Sequence, residues 1–403
     1  MAGLLPVDEA LARLLDGTGP LPSERVPLAE AAGRVLSADL VALRTQPPFD
    51  ASAMDGYAVR AADIADPSNQ LNVIGESIAG RRFVGEVGAG QAVRIFTGAP
   101  VPPGADTILL QEDARVDEHG RIGATEATPR GRHIRRLGLD FAAGQSLLRA
   151  ARVLDPAALG LAAAANHAVV PVVRRPLVAI LATGSELVPP GDVPGPDQIV
   201  ASNSYAAAAI VAADGGVPLD LGIVPDDADL TRQAVDRAKE AGADVLVTLG
   251  GASVGDHDLV RSVLAAAGMD LAFWKIAMRP GKPLMFGHLG AMRVLGLPGN
   301  PVSSLVCSHL FLRPLVARLG GRPFAADMRD AILGADLKAN DTRQDYVRAE
   351  VLPRDVDGLI ANPFATQDSS MMRTMADANG LIVRPPHAAA ARTGDPCRVL
   401  MLR

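Results

Sequence analysis

Residues 244–258, DVLVTLGGASVGDHD, and residues 292–304, MRVLGLPGNPVSS, each run from an apolar strand through a glycine turn into a helix. In the first, Val245, Leu246, Val247 and Leu249 form a short, β-branched run without polar alternation, as expected of a strand covered on both faces. Gly250 and Gly251 let a ligand approach the backbone, Ser253 follows, and Asp256 or His257 opens the next helix. The free N–H groups and positive end of that helix face whatever lies above the turn. The second repeats the design: strand 294–297, the turn Pro298, Gly299 and Asn300, then Pro301 where a missing N–H costs nothing, then an apolar helix over 302–319. Either turn alone is equally the ordinary turn of an α/β sheet. Two such turns on one sheet edge predict an anion or phosphate site.

Acids and bases complete this edge. Asp256 and Asp258 lie two positions apart, and Mg2+ favours one or two carboxylates together with substrate phosphates. A further strand, 177–182, ends in Thr183, Gly184, Ser185 and Glu186, which places Glu186 on the same carboxyl edge. Singly, these acids are also what helix N-termini attract. The run 274–283 (WKIAMRPGKP) holds Lys275, Arg279 and Lys282 on a loop stiffened by two prolines, suited to an oxyanion and equally readable as a solvated basic loop.

The chain has 403 residues, 48% of them apolar, enough for roughly two to four domains with a large core. Its net charge of −6 argues against general affinity for nucleic acid or anionic membranes. Two cysteines form no CxxC pair and no disulfide framework. No basic leader is visible, and no apolar run is read as reaching the ~18 residues of a membrane span, so a cytoplasmic protein is expected. Alternating strands (177–182, 219–224, 244–249, 284–287, 293–297) and helices (202–213, 227–241, 258–267, 302–319) predict a doubly wound parallel sheet over 176–325. Short β runs at 71–74, 92–95 and 107–110 predict a β-rich insert over 46–146. It interrupts a linking region of 1–45 and 147–175, in which helices are expected at 7–15, 28–35 and 156–165. Short strands at 345–352, 381–384 and 396–402 predict a small C-terminal β-domain over 326–403. Two stiff loops, 47–58 (PPFDASAMDGYA) and 96–106 (FTGAPVPPGAD), expose Asp55 and Thr97.

Taken with 182–187 (ATGSEL) and 275–283 (KIAMRPGKP), these segments occur in the order and approximate spacing of the MoeA-type molybdopterin molybdenumtransferases, the gephyrin E-domain family, which the chain resembles over essentially its full length. The resemblance implies a multidomain α/β plus β fold: a doubly wound molybdopterin-binding domain, a β-rich insert, an elongated linking domain and a C-terminal β-domain. It implies insertion of molybdenum from molybdate into adenylylated molybdopterin, with Mg2+-dependent release of AMP. The catalytic residues so implied are Asp55, Asp140, Glu186 and Asp258. Substrate contacts fall to Thr97, Thr183, Gly250, Gly251, Ser253, Asp256, Pro298, Gly299, Asn300 and Pro301, and Mg2+ to Glu186, Asp226 and Asp258. Molybdate would meet Arg279, standing where the family often has Lys, with Lys282, Ser303, Arg348 and Ser369. Tungstate has the same charge and nearly the same size. A homodimer with sites shared between subunits is implied, with a molybdopterin adenylyltransferase and molybdoenzyme maturation proteins as partners. Two rival readings are a non-catalytic molybdopterin-binding scaffold and an enzyme that adenylylates molybdopterin.

Overall fold

A computed structural model describes residues 4–251, 259–354 and 358–402. The chain divides into two compact units: Met1–Glu24, Gly33–Ser37 and Pro171–Arg403 form the larger, Arg25–Ala32 and Ala38–Val170 the smaller. The first helix, α1 (Val7–Leu15), belongs to the larger unit. It turns Val7, Ala10 and Leu14 into that unit's core, the i, i+3, i+7 stripe its sequence predicts.

In the smaller unit, strands β1 (Gly56–Val59), β2 (Asn72–Ser77), β3 (Gln91–Ile95) and β4 (Thr107–Leu110) form one sheet in the order β2-β3-β1-β4. Its two faces bury Val59, Leu71 and Leu109 on one side and Ala58, Val93 and Ile108 on the other. Helix α2 (Pro156–Ala164) starts where Asp155 accepts the Ala158 N–H at 2.8 Å and Pro156 takes the first turn. The helix expected over 28–35 is only a 3₁₀ turn, Leu28–Glu30. Gly33, with φ at +68°, breaks the right-handed course that the apolar spacing suggests.

The larger unit is built on a six-stranded sheet of β5 (Leu177–Thr183), β6 (Val217–Val224), β7 (Val245–Leu249), β8 (Asp270–Trp274), β10 (Met285–Leu289) and β11 (Met292–Leu297), ordered β6-β5-β7-β11-β10-β8; β9 (Met278–Arg279) lies outside it. The first four strands are parallel; β10 and β8 add an antiparallel edge. Helices α3 (Asn203–Ala213), α4 (Ala228–Glu240) and α5 (Leu259–Ala266) complete the crossovers. Strand β7 is buried throughout: Val245, Val247 and Leu249 enter one core layer and Leu246 the other. Asp244 anchors its start, accepting from both terminal nitrogens of Arg174 at 3.0 and 2.7 Å and from the Leu177 N–H at 2.8 Å.

Residues 301–319 depart from the expectation of one continuous helix. They form α6 (Pro301–Cys307), a π-turn (Ser308–Leu312) and α7 (Arg313–Leu319). Pro314 has no N–H for the Leu310 carbonyl, and the wider turn, in which the Arg313 N–H reaches Ser308 O, accommodates the gap. This segment also corrects the reading that no apolar run is long enough to cross a membrane, since by length and composition Pro301–Leu319 is. It is a core element here, with 72% of its apolar window buried within the fold.

Within the π-turn, burial, aided by the adjacent Arg313 charge, lowers the His309 pKa from 6.5 to about 4. The unfolded chain therefore binds a proton first as pH falls. The resulting stability is present above pH 6.5 and is lost on descending toward pH 4. Urea denaturation is expected to show a loss of about 2 kcal/mol from this group between pH 7 and pH 5. A His309→Gln chain should lack that component of the slope; an identical pH dependence in both chains would refute it.

The C-terminal strands β12 (Met328–Leu333), β13 (Gln344–Pro353), β14 (Leu359–Pro363), β15 (Gly380–Arg384) and β16 (Pro396–Met401) pair in the order β13-β14-β12-β16-β15. Because β13 also pairs with β15, they close on themselves. Strand β9 adds in parallel to β13, matching Met278 with Gln344 and Arg279 with Asp345. A short helix, α8 (Met372–Asp377), precedes β15.

Candidate functional site

The carboxyl edge of the parallel strands opens into a cavity of about 730 Å3, within the size range of ligand pockets. Its walls include Thr183 at the end of β5 and Glu186 beyond it, Asp226 after β6, Gly250 and Gly251 after β7, and Pro298, Gly299, Asn300 and Pro301 after β11. The two glycine turns lie against each other. A Cβ on Gly299 would sit 3.7 Å from the Gly250 Cα, and one on Gly250, whose φ is +98°, would meet the Thr183 carbonyl oxygen at 2.7 Å. Glycine is required at that position for both conformation and space. Asn203, at the start of α3, donates its side-chain N–H to Gly299 O at 2.7 Å and fixes the second turn.

Glu186 and Asp226 share this cavity. Asp226 Oδ2 accepts from the Ser185 N–H at 3.2 Å, and its own N–H reaches Ser185 Oγ at 3.0 Å, so the β5 and β6 loops are tied together. Two hard oxygen donors in a polar cavity fit Mg2+, which keeps several waters and takes substrate phosphate oxygens. Among the described residues no group of three or more His, Cys, Asp or Glu is placed to hold a metal ion. By themselves the two carboxylates make no closed cation cage. Ser253, Asp256 and Asp258 lie outside the described residues.

A second cavity, about 560 Å3, adjoins the first through Pro283, which lines both. Arg279, Lys282, Ser303 and Ser369 line it, with Lys338, Asn340, Arg343 and Asp345 from the C-terminal strands and their loops. Lys275 does not join them; its ammonium lies 3.9 Å from the Trp274 ring centroid. Asn300 donates to Ser369 Oγ at 3.1 Å and the Val302 N–H to Ser369 O at 3.1 Å, so the 298–302 turn and the 368–370 loop join the two cavities. The Val302 N–H at the start of α6 is therefore committed to protein rather than open to an anion.

Arg348 stands behind this wall. It is 1% exposed, donates Nη1 to Asp368 O at 2.7 Å and Nε to Gln367 Oε1 at 3.2 Å, and is not among the cavity-lining side chains. Burial draws its pKa down, and the Asp368 carboxylate opposes that shift. Asp368 itself is lowered by the Ser370 hydroxyl and N–H, which it accepts at 2.6 and 2.9 Å.

In the smaller unit, Asp55 accepts the Thr97 N–H at 2.7 Å and its hydroxyl at 2.9 Å, and these bonds lower its pKa. The two stiff loops thus form one ionised carboxylate at the surface. Asp140 is exposed, and its N–H is held by Gln46 O at 3.0 Å; Asp50, on the 47–58 loop, binds Arg136 at 2.6 Å.

The sequence reading did not include Asn203, Asp341 or Asp345 in the site. Asn203 had a signal, as the side chain opening a helix that faces the glycine turns. The two acids had none, because only the β9–β13 register brings them to Arg279.

A doubly wound sheet with a polar double cavity at its carboxyl edge, joined to a closed β-domain and a separate β-rich unit, is the build of a MoeA-type chain. The MoeA N-terminal region (domains I and II) matches residues 5–166, a probable molybdopterin-binding domain matches 179–318, and the MoeA C-terminal region (domain IV) matches 330–402. A molybdopterin molybdenumtransferase of Bacillus subtilis is 35% identical, over 99% of this chain and 94% of its own. Molybdopterin molybdenumtransferase 2 of Mycobacterium tuberculosis is 39% identical, over 93% of this chain and 94% of its own. The crystal structure of a molybdopterin biosynthesis MoeA protein from Pyrococcus horikosii superposes with a TM-score of 0.85 at 30% identity, each chain covering all of the other. The chain belongs to the molybdopterin molybdenumtransferase family.

Proposed function

We propose that the chain inserts molybdenum from molybdate into adenylylated molybdopterin and releases AMP. The observation that carries this is the adjoining pair of cavities: one is lined by two glycine turns and two acids, which suits a phosphate, and the other by cations and hydroxyls with room for an oxyanion. Thr183, Gly250, Gly251, Ser253, Asp256 and the turn from Pro298 to Pro301 hold the pterin and its phosphates. Lys282, with the Ser303 and Ser369 hydroxyls, holds molybdate beside the dithiolene. Glu186 and Asp226, with Asp258, hold Mg2+, which when bound neutralises charge gathering on the phosphate oxygens.

Asp55, Thr97 and Asp140 act in this reading from the second subunit of a homodimer, since all three belong to the smaller unit and line neither cavity. Sedimentation of a monomer at working concentration would remove that part. A reducing, cytoplasmic setting suits two cysteines with no disulfide between them.

The test is AMP release from adenylylated molybdopterin with Mg2+, with and without molybdate, and with tungstate in parallel. Molybdate-dependent release with a metal-loaded product is expected. Release with tungstate alone would revise the metal, and none under any condition would sink the insertion reaction.

A further inference from the structure

Arg279 sits in the oxyanion cavity, yet most of its donors are already engaged by Asp345, Asp341 and Asn340. Nε binds Asp345 Oδ1 at 2.6 Å, Nη2 pairs with Asp345 Oδ2, Nη1 lies 3.3 Å from Asp341 Oδ2, and Nη2 is 3.3 Å from Asn340 Oδ1. The pairing is built into the backbone, because the parallel register of β9 on β13 sets Arg279 beside Asp345. Asp345 is the enclosed partner, its side chain 15% exposed against 45% for Arg279. Asp341 is shared with Arg343 at 2.8 Å, so these two arginines and two aspartates cancel in charge. A bidentate carboxylate takes the same edge of a guanidinium that a tetrahedral oxyanion takes. Lys282 lines the same cavity, and among the described residues no acid pairs with it.

Resting on the oxyanion reading above, we infer that Asp345 sets the affinity of the cavity for oxyanions: its carboxylate fills the fork of Arg279, withholding that arginine from them. The incoming dianion is then held by Lys282 and the hydroxyls of Ser303 and Ser369, and affinity is set below what two free cations would give. An unguarded Arg279 would strengthen binding of every tetrahedral dianion, sulfate as much as molybdate, so the guard lowers how tightly the cavity holds this class of anion without changing the choice within it.

The experiment is calorimetric titration of the full chain with molybdate and with sulfate at constant ionic strength. Four proteins are compared: the parent, Asp345→Asn, Arg279→Ala and the Arg279→Ala, Asp345→Ala pair, each with its melting temperature. Asp345→Asn keeps the shape and removes the charge, and it is expected to bind both anions about tenfold more tightly. Arg279→Ala leaves the acids uncompensated and should bind more weakly; the double variant should return toward the parent. Loss of structure lowers affinity, so a gain is a readout that a purely structural role does not produce.

A parent that binds molybdate while Asp345→Asn binds equally or more weakly, with the double variant as weak as Arg279→Ala, would overturn the role of Asp345 alone and make Arg279 a direct ligand. Should Asp345→Asn melt early, the double variant decides by the same comparison. A well-folded parent that binds neither anion would remove the oxyanion reading and this inference together.

Discussion

Lys282→Ala is expected to lower kcat/KM for molybdate about 100-fold while leaving the melting temperature within a degree or so of the parent. A hydrogen bond to a charged group contributes about 1.5–3 kcal/mol, and each 1.4 kcal/mol is a factor of ten. The upper end applies because the neighbouring cation, Arg279, is neutralised by Asp345 and Asp341. Removing Lys282 therefore leaves the oxyanion with hydroxyls and a charge-balanced wall. Lys282 is exposed and makes no ion pair among the described residues, so little stability depends on it. Steady-state kinetics over a molybdate series checks this. Lys282→Arg should recover part of the loss, since the charge survives on a wider, planar head. A Lys282→Ala chain with parental KM would take Lys282 out of oxyanion binding and return attention to Arg279.

What the sequence discloses here is local, and what it hides is non-local. Residues 244–251 and 292–301 were legible as strand and glycine turn because apolar runs and Gly or Pro punctuation act within a few residues. Convergence of Thr183, Gly250 and Gly299 at one edge follows from parallel topology, which alternating strands and helices also announce. Strand β8 was missed because it is short, at the sheet edge, and buries only Phe273 fully, too weak a period to separate from a loop. Helix 28–35 was overcalled because apolar spacing ignores a glycine whose φ is positive. The fate of the three cations in 274–283 was not readable at all. Lys275 goes to the adjacent indole, Lys282 to the cavity, and Arg279 to an acid 66 residues away that only the β9–β13 register supplies. The resemblance supplied names for Ser303, Arg348 and Ser369, but not the hydrogen bonds by which Asn300 and Arg348 hold Ser369 and its neighbours in place.

Arg348→Ala is expected to be the most damaging single change near the site, at about 3–5 kcal/mol of stability. The side chain is 1% exposed, and its loss empties a large volume between β13 and the 367–368 loop, on the strand face opposite the barrel core of Ala349 and Val351, while stripping the Asp368 carbonyl and the Gln367 amide oxygen of a charged donor. Gln367 still bonds the residue 348 backbone on both sides, accepting its N–H at 3.0 Å and donating to its carbonyl at 3.0 Å, so the loop stays attached but loses its second anchor. The consequence reaches the cavity through Ser369, whose carbonyl accepts the Val302 N–H and whose hydroxyl accepts from Asn300. Urea denaturation should show a lower midpoint. At a temperature well below melting, the KM for molybdate should rise more than kcat falls, because a displaced Ser369 weakens binding before it alters chemistry. Arg348→Lys separates the two effects: it keeps most of the volume and the charge but offers a point donor in place of a fork, so stability should largely return while the raised KM persists. If Arg348→Ala were as stable as the parent, the buried guanidinium would not be holding this wall. If Arg348→Lys restored both quantities together, its role would be packing and charge rather than placement of the loop.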